Sequence, residues 1–191
     1  SYSREKKLGS IGYIIAHEIS HAFDASGADY DENGNNKPWW NHKEKEPFDD
    51  KCDGVVKLYD GKPLLTDLYT SGRKTENENV ADISAMRCVI DIMNTIENAD
   101  YKSFFNSFAS SFAGGATRKY LEYLISEDEH ANYGVRVNTV LSNFQEFYDT
   151  YGISENDAMY VKPENRITIW WNKRFFTKWC GFELKHKFFG N

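Results

Sequence analysis

Apolar residues recur at helical spacing from the start of the chain. Leu8, Ile11, Ile14, Ile15, Ile19 and Ala22 predict one helix over residues 3–24. Gly, Asn and Asp crowd residues 26–38 and predict a loop, followed by a second helix over 40–59. The stretch GKPLLTDLYTSGRK reads as irregular or briefly extended. Residues 76–93 (ENENVADISAMRCVIDIM) form a strong helical pattern whose buried side is Val80, Ile83, Ala85, Met86, Val89 and Ile90. Helices over 101–112, 116–125 and 135–151 complete the set, and Phe104, Phe105, Phe108 and Phe112 make an aromatic stripe of core character. Strand patterns are scarce and there is no internal repeat, so the expected fold class is mainly α.

Composition narrows the possibilities. The 191 residues, 40% hydrophobic and 27% charged, suit a globular protein with a sizeable core. No apolar run approaches the ~20 residues of a membrane-spanning helix. A net charge of −6 argues against nucleic acid as a partner. That charge is unevenly spread, because residues 171–191 carry five Lys/Arg against one Glu. The expected organisation is therefore one domain over 1–170 and a basic, aromatic extension over 171–191. Helix begins almost at the first residue, as expected of a piece of a longer protein. Cys52, Cys88 and Cys180 lack metal-ligand spacing and are odd in number, which predicts reduced thiols.

The chemistry lies in IIAHEISHAFD, residues 14–24. His17 and His21 stand at i and i+4 on one helix face, where two imidazole nitrogens can share a metal ion. Glu18 is rotated ~100° from His17, beside the metal without ligating it, where it can act as general base toward a zinc-activated water. Ile14, Ile15, Ile19 and Phe23 would bury this helix, and an unpaired His-Glu-His cluster in a core is costly. A catalytic zinc needs a third protein ligand. ENVAD, residues 78–82, offers Glu78 for that place and Asp82, on the same face, to orient a ligand histidine. Taken singly, each motif also reads as polar groups on solvated helices. Asp29, Asp31, Asn33 and Gly34 mimic the start of a calcium loop, but Trp40 stands where a bidentate Glu is needed, so a turn is expected.

Together the segments resemble the catalytic domain of the neprilysin-type zinc endopeptidases, which include the endothelin-converting enzymes and bacterial oligopeptidase O. IGYIIAHEISHAFD, DENGNNKPWW, ENVAD, EDEHANYGVRVN and MYVKPENRITIW match the family's ordered motifs, and the 57-residue step from His21 to Glu78 suits it. The resemblance implies a zincin-like fold of the thermolysin-like, glutamate-ligand kind, with one helix bearing HEISH and another bearing ENVAD. It implies one Zn2+ per chain on His17, His21 and Glu78, with Glu18 as base. Asp24 and Asp82 would hold the ligand histidines, His130 would donate to the oxyanion, and Arg136 would bind a substrate carbonyl or carboxylate. Tyr13, Ile14 and Phe112 would line the pocket for the hydrophobic residue after the scissile bond. The implied activity is hydrolysis of oligopeptides on the amino side of hydrophobic residues.

The chain departs from the family in several places. The family's N-terminal helical domain and its Asn-Ala-Tyr-type substrate segment have no counterpart here. The alternative expectation is thus a catalytically silent zinc-binding or interaction module, with self-association through an exposed domain interface. GRKTEN replaces the usual Leu-Gly before the glutamate motif, and EHANYG lacks the usual Pro. The cysteine positions and the absence of an Asn-x-Ser/Thr site fit the bacterial branch, cytoplasmic or secreted.

Overall fold

A computed structural model describes residues 2–31, 33–37 and 42–169. The Trp39–Trp40 pair, Trp170 and the 171–191 extension with Cys180 lie outside them.

The first helical run holds its predicted place but is not uniform. It passes from α1 (Arg4–Lys7) through a π turn (Leu8–Gly12) into α2 (Tyr13–Ser20) and closes with a 3₁₀ turn (His21–Phe23). Its buried positions explain the π turn. Leu8, Gly12, Ala16 and Ser20, with Gly9, Tyr13 and His17, repeat every four residues. On an α-helix such a repeat slips ~40° per step, and a wider π turn takes up part of the slip. The same turn lets α5 (Tyr101–Ser111) come close, because a Cβ on Gly9 would lie 2.2 Å from the Phe104 carbonyl oxygen.

At the centre is α4 (Glu76–Met93), the element that α2 packs against most extensively. All six residues predicted for its apolar side are buried. Its other sides are covered too, by the α2 run, by α3 (His42–Tyr59) and by α7 (Tyr133–Leu141). Phe104, Phe105 and Phe108 of α5 fill the core as the stripe predicted. Between α3 and α4 a two-stranded antiparallel hairpin, β1 (Pro63–Leu65) with β2 (Leu68–Tyr69), is the one sheet among the described residues. Arg118, at the start of α6 (Arg118–Glu127), clasps Asp67 in its turn at 2.6 and 3.1 Å. Asp31 closes its loop by accepting from the Asn33 and Asn35 N–H groups at 2.9 and 3.0 Å, a turn as expected.

Two expectations need correction. The pattern over 135–151 predicted one helix, but α7 ends at Leu141 and α8 (Gln145–Tyr151) starts anew. Between them Asn143 acts as a substitute strand. Its Nδ2 donates to the Ile167 carbonyl and its Oδ1 accepts from the Ile167 N–H, both at 2.6 Å. This anchors the closing segment at the expense of helical continuity. Cysteine usage also differs: Cys52 is a buried free thiol, whereas Cys88 is disulfide-bonded.

Candidate active site

The site forms where α2 crosses the first turns of α4. The helix carrying His17 tightens after Ser20 and stops at Asp24, whose backbone turns extended. Asp24 Oδ1 accepts from the Ser26 and Gly27 N–H groups at 2.9 and 2.7 Å, and Oδ2 accepts from His21 Nδ1–H at 2.7 Å. One buried carboxylate thus ends the helix and orients an imidazole. Gly27 is required there, since a Cβ would fall 1.9 Å from the His21 carbonyl oxygen.

His17 sits between the two carboxylates of α4. Its Nε2 lies 3.1 Å from Glu78 Oε2, and its Nδ1 lies 2.9 Å from Asp82 Oδ1. His21 Nε2 completes the group at 3.2 Å from His17 Nε2 and 3.6 Å from Glu78 Oε1. Two imidazole nitrogens and one carboxylate therefore meet edge to edge. Ligands ~2.0–2.1 Å from a tetrahedral zinc stand ~3.3 Å apart, so these residues have the spacing such an ion needs. Glu78 Oε2 is buried and receives no aligned hydrogen bond despite its close neighbours. That is the state of a lone pair aimed at a shared point rather than at a donor. The donor set fits zinc.

His130 also approaches this point. The turn between α6 and α7 brings its Nε2 to 2.9 Å from Glu78 Oε2, and His17, Glu78 and His130 form a compact cluster of possible metal-binding atoms. Asp128 fixes the ring, its Oδ1 accepting from both the N–H and the Nδ1–H of His130 at 2.9 and 2.8 Å. Sequence reasoning missed Asp128; an aspartate two residues before a histidine is the signal that could have found it. Glu18 is exposed beside His17.

Behind the metal-facing groups lies a buried charge cluster. Asp82 is fully buried and receives Arg136 at both oxygens, Nε–H to Oδ2 and Nη2–H to Oδ1, each at 2.7 Å. Tyr13 donates its hydroxyl to Oδ1 at 2.6 Å. Arg136, expected to face substrate, is thus paired inward; its guanidinium also covers the half-buried Phe112 ring at 4.9 Å from the centroid. Tyr13 is 1% exposed and packs edge-on against Phe108 and Phe112, while Ile14 is half-buried.

The electrostatics follow from this crowding. Burial alone would make Asp82 a weaker acid, but the charge of Arg136 and the His17 contact hold its carboxyl at about 2. Burial opposes charge on His17 as well, yet Asp82 and Glu78 raise it to about 9. The hydrogen bond to Asp24 raises His21, and contact with Glu78 raises His130. Burial pushes the Tyr13 phenol well above its ordinary value, so it keeps its proton. The raised histidines and the Arg136 guanidinium thus offset much of the negative charge that the carboxylates bring to the site.

Fold and site together define a zincin-like domain with a candidate metal centre. The profile of peptidase family M13 matches residues 1–167, and the chain belongs to that family. It is 37% identical over 169 residues to a neutral endopeptidase of Lactococcus lactis subsp. cremoris, an alignment covering 88% of this chain and 27% of that protein. Neprilysin-1 of Caenorhabditis elegans is 29% identical over 185 residues, with 88% and 24% covered. Among solved structures, PEPO from Lactobacillus rhamnosis HN001 superimposes with a TM-score of 0.85 at 33% identity, covering 89% of this chain and 27% of that one. The Mycobacterium tuberculosis zinc metalloprotease ZMP1, solved with an inhibitor, gives 0.79 at 25% identity, with 88% and 28% covered. The chain spans about a quarter of the length of these relatives. The family and its zinc-dependent members imply zinc as the metal.

Proposed function

We propose that this chain is the zinc-holding part of a metalloendopeptidase that hydrolyses oligopeptides on the amino side of hydrophobic residues. The observation that carries the reading is the meeting of His17 Nε2, His21 Nε2 and the Glu78 carboxylate at 3.1–3.6 Å around a buried oxygen with no aligned donor. One zinc ion per chain would be held by His17, His21 and Glu78. It would supply a Lewis acid that acidifies water and polarises the scissile carbonyl. Glu18, exposed next to His17, would take the proton from the attacking water and return it to the departing amine. His130, steadied by Asp128, would donate to the developing oxyanion. Arg136 commits Nε and Nη2 to Asp82, which leaves Nη1 for a substrate carbonyl. The Ile14 and Phe112 side of the cleft would receive the hydrophobic residue, with the buried Tyr13 ring behind it.

A second arrangement, with His17, Glu78 and His130 as ligands, is favoured by the 2.9 Å approach of His130 to Glu78. Metal analysis of the wild type and of His17→Ala, His21→Ala and His130→Ala separates the two. The first arrangement predicts about one zinc, lost in the His17 and His21 variants and kept in the His130 variant. Loss at His130 with retention at His21 selects the second arrangement, and no zinc in the wild type removes both. Glu18→Gln in the full-length parent should keep zinc and lose roughly 10²–10⁴-fold in activity. A parent with intact zinc and no peptidase activity would leave the silent module as the reading.

A further inference from the structure

Oxygen Oδ1 of Asp82 has more suitors than lone pairs. It receives the Tyr13 hydroxyl at 2.6 Å and Arg136 Nη2–H at 2.7 Å, and His17 Nδ1 stands 2.9 Å away. Oδ2 accepts from Arg136 Nε–H at 2.7 Å. A carboxylate oxygen offers two lone pairs. The two shorter contacts can fill them, and His17 Nδ1 is buried without an aligned acceptor. The imidazole stands 2.9 Å from the carboxylate that should orient it, in contact but out of line for a good hydrogen bond. His21 differs, because Asp24 gives it one oxygen and turns the other to the backbone.

We propose that Tyr13 is a positioning residue that competes with His17 for Asp82 Oδ1, so that its hydroxyl holds the zinc affinity of the site below what the ligand set could reach. The competition trades two properties. The Tyr13 bond braces the buried carboxylate and stabilises the fold, while it withholds from His17 the polarising contact that strengthens an imidazole as a ligand. This rests on the zinc reading above, and its test is built to fail separately from it.

The experiment compares the 191-residue chain with Tyr13→Phe, which removes the oxygen alone, and with Tyr13→Met, which removes the hydroxyl in a flexible side chain should the first variant fold poorly. Three quantities are read: thermal midpoint of the zinc-free protein, zinc affinity by chelator competition, and the imidazole N–H proton resonances of the zinc-free protein. The expected result is a lower midpoint, by roughly 2–4 °C, together with zinc binding roughly fivefold tighter. A His17 N–H resonance should appear, or move downfield, as the ring gains its hydrogen bond. Affinity that falls with the midpoint, or does not change in a folded variant, overturns the proposal and leaves Tyr13 a packing residue. A wild type that binds no zinc instead removes the metal reading. The proton resonance then still decides whether Tyr13 and His17 compete.

Discussion

Replacing Arg136 with leucine tests the ion pair on which the site is built. Asp82 is 0% exposed and Arg136 6%, so the substitution would strand a carboxylate in the core with the Tyr13 hydroxyl and the poorly aligned His17 as remaining partners. Both hydrogen bonds removed are 2.7 Å and charge-assisted. Breaking a buried pair from one side costs about 3–5 kcal/mol, since the surviving charge keeps its desolvation penalty. The raised pKa of His17 offers partial relief, because an imidazolium can stand in for the guanidinium. The lower end, about 3 kcal/mol, is therefore expected. In a domain of this size that corresponds to a midpoint lowered by roughly 6–12 °C. The assay is thermal and urea unfolding followed by circular dichroism with zinc chelated. Asp82→Leu with Arg136→Leu is the decisive companion, for a pair replaced by apolar groups of similar volume should be less destabilised than either single variant. A single Arg136→Leu cost below about 1 kcal/mol, or additive single and double variants, would show that the pair does not keep Asp82 charged.

Two further outcomes follow from local geometry. Gly27→Ala places its Cβ 1.9 Å from one backbone atom and 2.9 Å from another, so the Asp24 turn must move. It should destabilise by about 3 kcal/mol and weaken zinc binding through His21, whereas Gly34→Ala, left-handed but in open space, should cost about 1 kcal/mol and leave zinc untouched; chelator competition on both variants checks this. Burial, reinforced by Glu76 and Asp49, pushes the Cys52 thiol up to about 12. At pH 8 it should resist a thiol reagent by at least roughly a thousandfold against an ordinary cysteine and react on unfolding, as peptide mapping would reveal.

How much of this was legible beforehand depended on sequence distance. The bounds of α4 and its apolar side are local properties, and the periodicity of 76–93 contains them. The break after Leu141 was invisible, because its cause is a side chain pairing with backbone 24 residues away. Asp128 fixes His130 through contacts two residues apart, yet their meaning depends on Glu78, which a different helix supplies. Arg136 was expected at the substrate from the resemblance alone, and nothing local announced its pairing with Asp82, 54 residues earlier. Tyr13 read as a pocket residue because its position was visible and its hydroxyl's partner was not.

The core of the site was nonetheless written into two spacings. His17 and His21 are one helical turn apart, and so are Glu78 and Asp82. Residues at i and i+4 stand ~5–6 Å apart on a helix. An imidazole presents its two nitrogens on opposite sides, and with a contact of 2.9–3.1 Å at each it bridges two carboxylates about one turn apart. When α2 packs against α4, His17 therefore reaches both carboxylates at once, and His21 can reach only Glu78. Asp24 must then come from the helix end itself, which is why the turn at His21–Phe23 tightens and stops there. The asymmetry makes Glu78 the carboxylate shared by both histidines and Asp82 the one bound to Arg136. Sequence spacing supplies the rungs, while helix docking decides which carboxylate faces the shared point and which is closed off by a guanidinium.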